Sequence, residues 1–399
     1  MLFTKLSNIV MGNKEHCISL GQHDSLSIYM LNVMKFTYTP ASILQHGYKG
    51  FTSGGTMCAQ LDKFDICAKI ADTQKSEINL FHVFDDLIGQ NILYVTHDDQ
   101  VYGLGSNRFG SLGLGHSRPV DTPTLIPELT QQGVQHFVIG GDFALALTRE
   151  HQMYSWGHNY WSELGREGAP GEHNVYLKPE LIAYFADKTI RSVVCGAHHS
   201  LALDSDGYVY GWGDDSCGQI GRGLVADPRA PDTLTARPTS NSSFAVTAEG
   251  GRVYSWGENY MSCLGHKGSG MEPRVVTARL ISHMNSVETV CSSGCTTYFL
   301  RADGLVSFCG GYENDRGEPM RQTSPRQLGR KVHFRDLQAI AGYKKDISFV
   351  IGLKDNTVYK ILDTNTVVKT GFESFYHFYA NEYQLTFKTM RLNECNSAV

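Results

Sequence analysis

One short string returns along the chain at near-constant spacing, and it limits the available folds more than any other feature. Val101-Tyr102-Gly103-Leu104-Gly105 is followed by Met153-Tyr154-Ser155-Trp156-Gly157, Val209-Tyr210-Gly211-Trp212-Gly213 and Val253-Tyr254-Ser255-Trp256-Gly257. The closing glycines Gly105, Gly157, Gly213 and Gly257 stand 52, 56 and 44 residues apart. A weaker copy, Val306-Ser307-Phe308-Cys309-Gly310, follows after 53 residues, and a degenerate one, Val358-Tyr359-Lys360-Ile361-Leu362, after 52 more. Trp156, Trp212 and Trp256 share one position in the string, where Leu104 and Cys309 stand in other copies. Such a period marks a chain built by repeating one supersecondary unit.

The clearest unit reads as four short strands. Ile190 to Cys195 alternates, His199 to Leu203 follows, and Asp206-Gly207 supplies a tight turn before Val209 to Trp212, because Asp-Gly tolerates the positive φ of a two-residue hairpin. A proline-led apolar strip closes each unit: Pro123 to Ile126, Pro179 to Ile182, Pro231 to Leu234, Pro273 to Val276 and Pro325 to Leu328. Proline suits a strand edge and not a central strand. The 41 glycines agree, since glycine costs about 1 kcal/mol in a helix interior and so belongs in turns. A four-stranded unit cannot bury both its own faces. Radial repetition solves that and protects the edges, which gives a β-propeller. A linear solenoid is the competing arrangement, and it normally uses shorter units. The shared Trp, Tyr and Leu read as packing between neighbouring blades.

The period excludes propellers of Trp-Asp type, whose units run about 40–45 residues, but not those of kelch type, whose units run about 50. The residues themselves resemble the regulator of chromosome condensation repeat family. That family pairs a strand like Cys195 to Leu203 with one like Val209 to Gly213, followed by Asn-x-x-Gly-x-Leu-Gly, here Asn107 to Gly113. Ser162 and Ser262 replace the Gly of that motif, and Asp215 replaces its Asn. The likeness spans roughly residues 85–365 and implies an all-β, seven-bladed propeller of four-stranded blades. Six anchors are countable between 105 and 362. The last blade is therefore expected to close on N- and C-terminal strands, with Tyr379 to Phe387 as its inner strand and the stretch from Phe64 to Ile70 supplying strands from the other end. This reading divides the chain into an N-terminal extension (1–60), the propeller (61–390) and a tail (391–399). The chain is also similar to proteins that pair this propeller with a downstream BTB domain. No BTB domain is visible here, because that needs about 100 residues.

Gly110 to Gly115 is loop-like but lies between strand units, outside the strand-to-helix context that a phosphate loop requires. Cys291 and Cys295 have no second pair at finger spacing. His198-His199 occupies a repeat position, where the resemblance implies a structural hydrogen-bonder near the blade interface. The chain is read as non-enzymatic, with no catalytic, cofactor-binding or metal site. Ten cysteines are too dilute for a disulfide scaffold, no 18-residue apolar run offers a membrane span, and the first residues lack the apolar stretch of a secretory signal. These features place the protein inside the cell, in cytoplasm or nucleus. The net charge of −5 and the lack of a Lys/Arg run argue against nucleic acid as a partner.

Function in a repeat scaffold sits in its variable loops. Arg166 to His173, Arg222 to Pro231 and Gly311 to Ser324 are the most divergent. Aromatic and charged side chains make typical interface anchors. The candidate partner-binding residues are accordingly Tyr160, Trp161, Glu167, Asp227, Arg229, Tyr260, Tyr312 and Arg316. The favoured function is a monomeric platform that binds other proteins through loops on a propeller face. The resemblance also implies an alternative, guanine-nucleotide exchange on a small GTPase, although no wedge motif of the founding member can be matched here. The similarity to BTB-containing proteins implies another, substrate recognition for a ubiquitin ligase.

Overall fold

The computed structural model describes residues 61, 64–84, 90–166, 174–221, 242–247, 250–266, 272–293, 295–313, 318–329, 332–340, 349–361 and 367–373, with three short N-terminal strands, Thr4–Leu6, Leu26–Met30 and Phe36–Tyr38. Nearly all of it is antiparallel sheet. Sheet 1 holds Ile78–Phe84, Asn91–Thr96, Val101–Gly105 and Val120–Leu125, with Phe36–Tyr38 as a fifth strand beside Ile78–Phe84. Sheet 2 runs Val134–Ile139, Phe143–Thr148, Met153–His158 and Val175–Leu181. Sheet 3 is Ile190–Cys195, His199–Asp204, Val209–Gly213 and, closing it, Thr4–Leu6. Sheet 4 begins with Leu26–Met30 and continues through Ser242–Thr247, Val253–Glu258 and Arg274–Leu280. Sheet 5 is Val287–Ser293, Thr296–Arg301, Val306–Glu313 and Pro319–Gln327, and sheet 6 is Asp336–Ile340, Phe349–Lys354, Thr357–Ile361 and Val367–Lys369.

The first strands of sheets 1 to 6 are neighbours in that order. Apolar side chains therefore collect between facing sheets. Leu80, Leu93 and Val101 of sheet 1 meet Phe137, Ala144 and Trp156 of sheet 2. Leu145 and Met153 meet Val193 and Trp212. Phe244 and Trp256 share one cluster with Leu201 on one side and Val290 and Phe299 on the other. Gly207 has φ 83 but Asp206 is not left-handed, and the Asp204 N–H donates to the Tyr208 carbonyl across Ser205–Gly207, so this hairpin turns on three residues and not the expected two. Asp355 and Asn356 have φ 48 and 51, the two positive values of a type I′ turn.

The repeated string ends in a β-bulge. Pairing with the fourth strand skips from Ser155 to Gly157, from Ser255 to Gly257, and likewise at the copies ending in Gly105 and Gly310. A bulge re-aims the side chain it frees, and here that residue is Trp156, Trp256, Leu104 or Cys309. The glycine follows from geometry. Gly157 has φ 101, and a Cβ there would stand 2.7 Å from the carbonyl oxygen of Asp142.

One expected strand is corrected. Phe64 to Ile70 does not extend a sheet: Asp65–Lys69 is a 3₁₀ helix. Leu61, Phe64, Cys67 and Ile70 recur every third residue, matching the three-residue turn of that helix. Successive N–H groups of Phe64, Cys67 and Ile70 donate to the carbonyls three residues back. All four side chains pack beneath Phe81, Tyr94 and Leu104 of sheet 1. The described sheets number six, and the described N-terminal strands join sheets 1, 3 and 4. The proposed closing strand from Tyr379 to Phe387 lies outside the described residues.

Candidate functional site

Four of the repeated strands lead into a turn that follows one plan. The side-chain oxygen of Asn107 accepts the N–H of Leu112 at 3.0 Å, Asn159 that of Leu164 at 3.0 Å, Asp215 that of Ile220 at 3.0 Å and Asn259 that of Leu264 at 3.1 Å. Asp215 keeps the acceptor, which is why it can stand for Asn. The turn then passes through left-handed backbone at Gly110, Ser162, Gly218 and Ser262, with φ from 65 to 78. Its fifth residue offers a carbonyl to the next sheet. Trp156 Nε1 donates to Ser111 at 2.8 Å, Trp212 Nε1 to Glu163 at 2.7 Å and Trp256 Nε1 to Gln219 at 3.0 Å. Cys309 Sγ reaches Cys263 at 3.3 Å in the same way. The string thus latches each of sheets 2 to 5 to the turn of the one before it.

The second and third residues of these turns project from the latched frame. Tyr160 is 62% exposed, its counterpart Tyr260 49% and Trp161 45%. These are large aromatics on the surface, not in a blade interface. Tyr160 and Trp161 contact each other edge-on at 4.9 Å between centroids, and Tyr160 stacks on His158 at 6.2 Å. Phe109, the equivalent of Trp161 in sheet 1, meets His158 edge-on at 6.1 Å and carries the Arg108 guanidinium over its ring at 4.9 Å. A continuous strip Arg108–Phe109–His158–Tyr160–Trp161 therefore crosses from sheet 1 to sheet 2. Phe109 and Met261 hold φ 54 and 53, a backbone region that large side chains rarely adopt.

Glu163 anchors the strip from beneath. Its buried carboxylate accepts the N–H of Trp161 at 2.8 Å and lies 3.4 Å from His158 Nδ1 and 3.5 Å from His198 Nδ1. The hydrogen bond to Glu163 raises the pKa of His198 against the effect of burial, helped by Asp214 and Asp142. His199 is a different case. It is wholly buried, its Nε2 meets Ser243 Oγ of sheet 4 at 3.2 Å, and burial lowers its pKa to about 3.

The other predicted residues fall as follows. Tyr312 is half-buried against Phe308 at 5.3 Å, so it packs within sheet 5 and does not join the strip. Glu167, Asp227, Arg229 and Arg316 lie outside the described residues. Trp156, Trp212, Trp256, Leu104 and Cys309 are all buried. Gly110 to Gly115 forms a turn packed on the fourth strand of sheet 2, where Leu177 lies against Gly110 and Pro179 against Gly113. Cys291 is pushed well above the ordinary thiol range by burial. Among the described residues, no group of three His, Cys, Asp or Glu side chains could hold a metal ion, and no helix is long and apolar enough to cross a membrane. Sequence reading missed Glu163, His158 and Phe109. The available signal was the turn motif itself, because Phe109 occupies the motif position of Trp161.

Models of the regulator of chromosome condensation (RCC1) repeat match residues 98–147 and 150–203, and a second model of that repeat matches 190–219. The ultraviolet-B receptor UVR8 of Arabidopsis thaliana is 28% identical over 319 residues, covering 74% of this chain and 71% of its own. The E3 ubiquitin-protein ligase HERC2 of Homo sapiens is 29% identical over 227 residues, which is 53% of this chain but 4% of the ligase. Among solved structures, Prp20p from Saccharomyces cerevisiae superposes with a TM-score of 0.54 at 18% identity over 87% of each chain. Human WBSCR16 gives 0.51 at 19% identity over 71% of this chain and 81% of its own. At these identities the structural likeness speaks for the fold.

Proposed function

We propose that this chain, a β-propeller protein carrying RCC1 repeats, is a non-enzymatic platform that docks a partner protein on the face bearing the repeated turns. The observation that carries this reading is the exposure of Tyr160 and Tyr260 at the second residue of the repeated turn and of Trp161 at the third. Exposed aromatics on a rigid frame contribute large contact area at little entropic cost, and Trp, Tyr and Arg dominate interface energetics. Glu163 fixes the backbone of Trp161, so the anchor is already organised before a partner arrives. The relatives support protein partners in general: HERC2 is a ubiquitin ligase, and Prp20p has binding properties toward Gsp1p and histones. A ring of seven blades, with the seventh lying between sheets 6 and 1, completes this reading.

The test compares the full chain with Tyr160→Ala/Trp161→Ala and Tyr260→Ala in affinity capture from cell extract. The variants are expected to keep the wild-type melting curve and to lose the dominant partner. Unchanged capture by both variants overturns the assignment of this face. The recovered partner is then assayed directly. Accelerated nucleotide release from a captured small GTPase replaces the platform reading with the exchange-factor reading.

A further inference from the structure

Sheets 3 and 4 are each assembled from distant parts of the chain. Thr4–Leu6 closes sheet 3, with Thr4 opposite Gly211 and Leu6 opposite Val209. Leu26–Met30 opens sheet 4, with Met30 opposite Ser243 and Leu26 opposite Thr247. In the other repeats these two places, the fourth strand of one sheet and the first of the next, are filled from within the repeat. The stretch that fills them is 106–142, 159–198, 259–295 or 314–348, which is 37, 40, 37 or 35 residues. Between sheets 3 and 4 the corresponding stretch is 214–241, only 28 residues. The shortfall of seven or more is about one strand with its turn, since strands run about 5–6 residues. This is also where the repeat spacing drops to 44.

The N-terminal pair fits the vacated places in order and direction. Thr4–Leu6 is antiparallel to the Trp212 strand, as Val175–Leu181 is to the Trp156 strand, and Leu26–Met30 is antiparallel to Ser242–Thr247, as Val134–Ile139 is to Phe143–Thr148. Leu26–Met30 also lies between the first strands of sheets 3 and 5. It therefore fills an interior slot beside buried Phe244 and Val246 and is not laid on an outer edge.

We infer that the junction of sheets 3 and 4 is a strand-acceptor site, and that its ligand is this chain's own pair of strands, Thr4–Leu6 and Leu26–Met30. The segment acts as a displaced half repeat. Backbone ladders supply its binding, as in β-strand addition elsewhere, and without it two rows of N–H and C=O groups would be left unpaired. The inference does not depend on what docks on the aromatic strip.

The experiment uses the full chain with a protease site placed within residues 45–55 and cut after folding. The N-terminal piece is expected to co-elute with the remainder on size exclusion. The same cut chain carrying Ser27→Pro/Ile28→Pro, which removes ladder donors at both parities of the strand, should release at least ten times more of that piece. Separation of the wild-type piece with an unchanged melting curve for the remainder overturns the inference. A second variant guards against misfolding: Ile28→Cys/Ala245→Cys, directly opposed in register, should yield a 28–245 disulfide-linked peptide in the monomer after mild oxidation. A monomer without that link, or a link confined to dimers, overturns it as well.

Discussion

Replacing Trp156 by Phe tests whether the repeated tryptophan is a latch or only a filler. The ring is fully buried between sheets 1 and 2 among Leu112, Ile126 and Leu129, and its Nε1 donates to the Ser111 carbonyl at 2.8 Å. Phenylalanine keeps most of the apolar volume and removes the donor. Leaving the Ser111 carbonyl buried and unpartnered costs about 1–3 kcal/mol. The narrower ring leaves a void of roughly methyl size or more, worth about 1 kcal/mol. The expected loss is therefore about 3 kcal/mol. Urea unfolding followed by circular dichroism measures it. With a slope of about 3 kcal/mol/M the midpoint falls by about 1 M. Trp161→Phe is the control, because that ring is 45% exposed, and surface changes usually stay within about 0.5 kcal/mol. A Trp156→Phe loss no larger than the control's would refute the latch. A changed slope would show instead that the sheets do not unfold as one unit.

Other predictions follow from the same geometry. Stability should fall as pH drops below about 6.5: burial holds His199 neutral down to about pH 3 in the folded chain, while the unfolded chain takes the proton near 6.5. At pH 5 this one residue costs about 2 kcal/mol, and His199→Gln should flatten the pH dependence of the urea midpoint by that share. His198 works oppositely. Glu163 raises its pKa, so its contribution is present below about 6.5 and is lost as pH rises through the raised value; Glu163→Gln should remove it. Ser162→Gly should raise stability by about 0.5–1 kcal/mol, because Ser162 sits at φ 65 where glycine is unstrained. Gly157→Ala should cost more than about 2 kcal/mol in the same urea assay, from its positive φ and the Asp142 carbonyl in the way.

The strand–turn–strand core of each unit was legible because its signals are local: Asp206-Gly207 for the turn, the alternation of Ile190 to Cys195, and Trp-Gly at the end of the third strand. The fourth strand of sheet 3 was not legible. A proline-led strip at 231–234 suggested it, whereas the place belongs to Thr4–Leu6, more than 200 residues away. Pairing over that distance leaves no periodic trace in three residues. Phe64 to Ile70 was misread because short apolar runs look alike in strand and helix, and the every-third spacing from Leu61 to Ile70 went unused. In the candidate site, residue type and turn position pointed to Tyr160, Trp161 and Tyr260, which the structure leaves exposed. Glu163 was not, since a single acid in a turn looks solvated until Trp161, His158 and His198 are seen to converge on it.

That convergence ties the surface to the scaffold. Glu163 gives its main-chain carbonyl to Trp212 of the next sheet and its carboxylate to the backbone of Trp161. The residue that latches sheet 3 to sheet 2 therefore also holds the exposed aromatic. The Trp161 N–H is held by a carboxylate whose own main chain is bonded to Trp212, so on the proposed reading little ordering remains to be done on binding. The latches are not equal around the arc. Tryptophan serves between sheets 1 and 2, 2 and 3, and 3 and 4, while Cys309, a weaker donor, serves between 4 and 5. The exposed Tyr160–Trp161 pair lies in the tryptophan-latched part, and Tyr260 marks its edge, at the turn that meets the Cys309 latch. If rigidity is what makes this face a docking surface, weakening the frame should weaken binding even where no contact residue changes. Trp212→Phe, which touches no exposed aromatic, should then reduce partner capture more than Cys309→Ala does. Equal capture by the two, with both chains folded, would separate the surface from the scaffold and leave Tyr160 and Trp161 acting on their own.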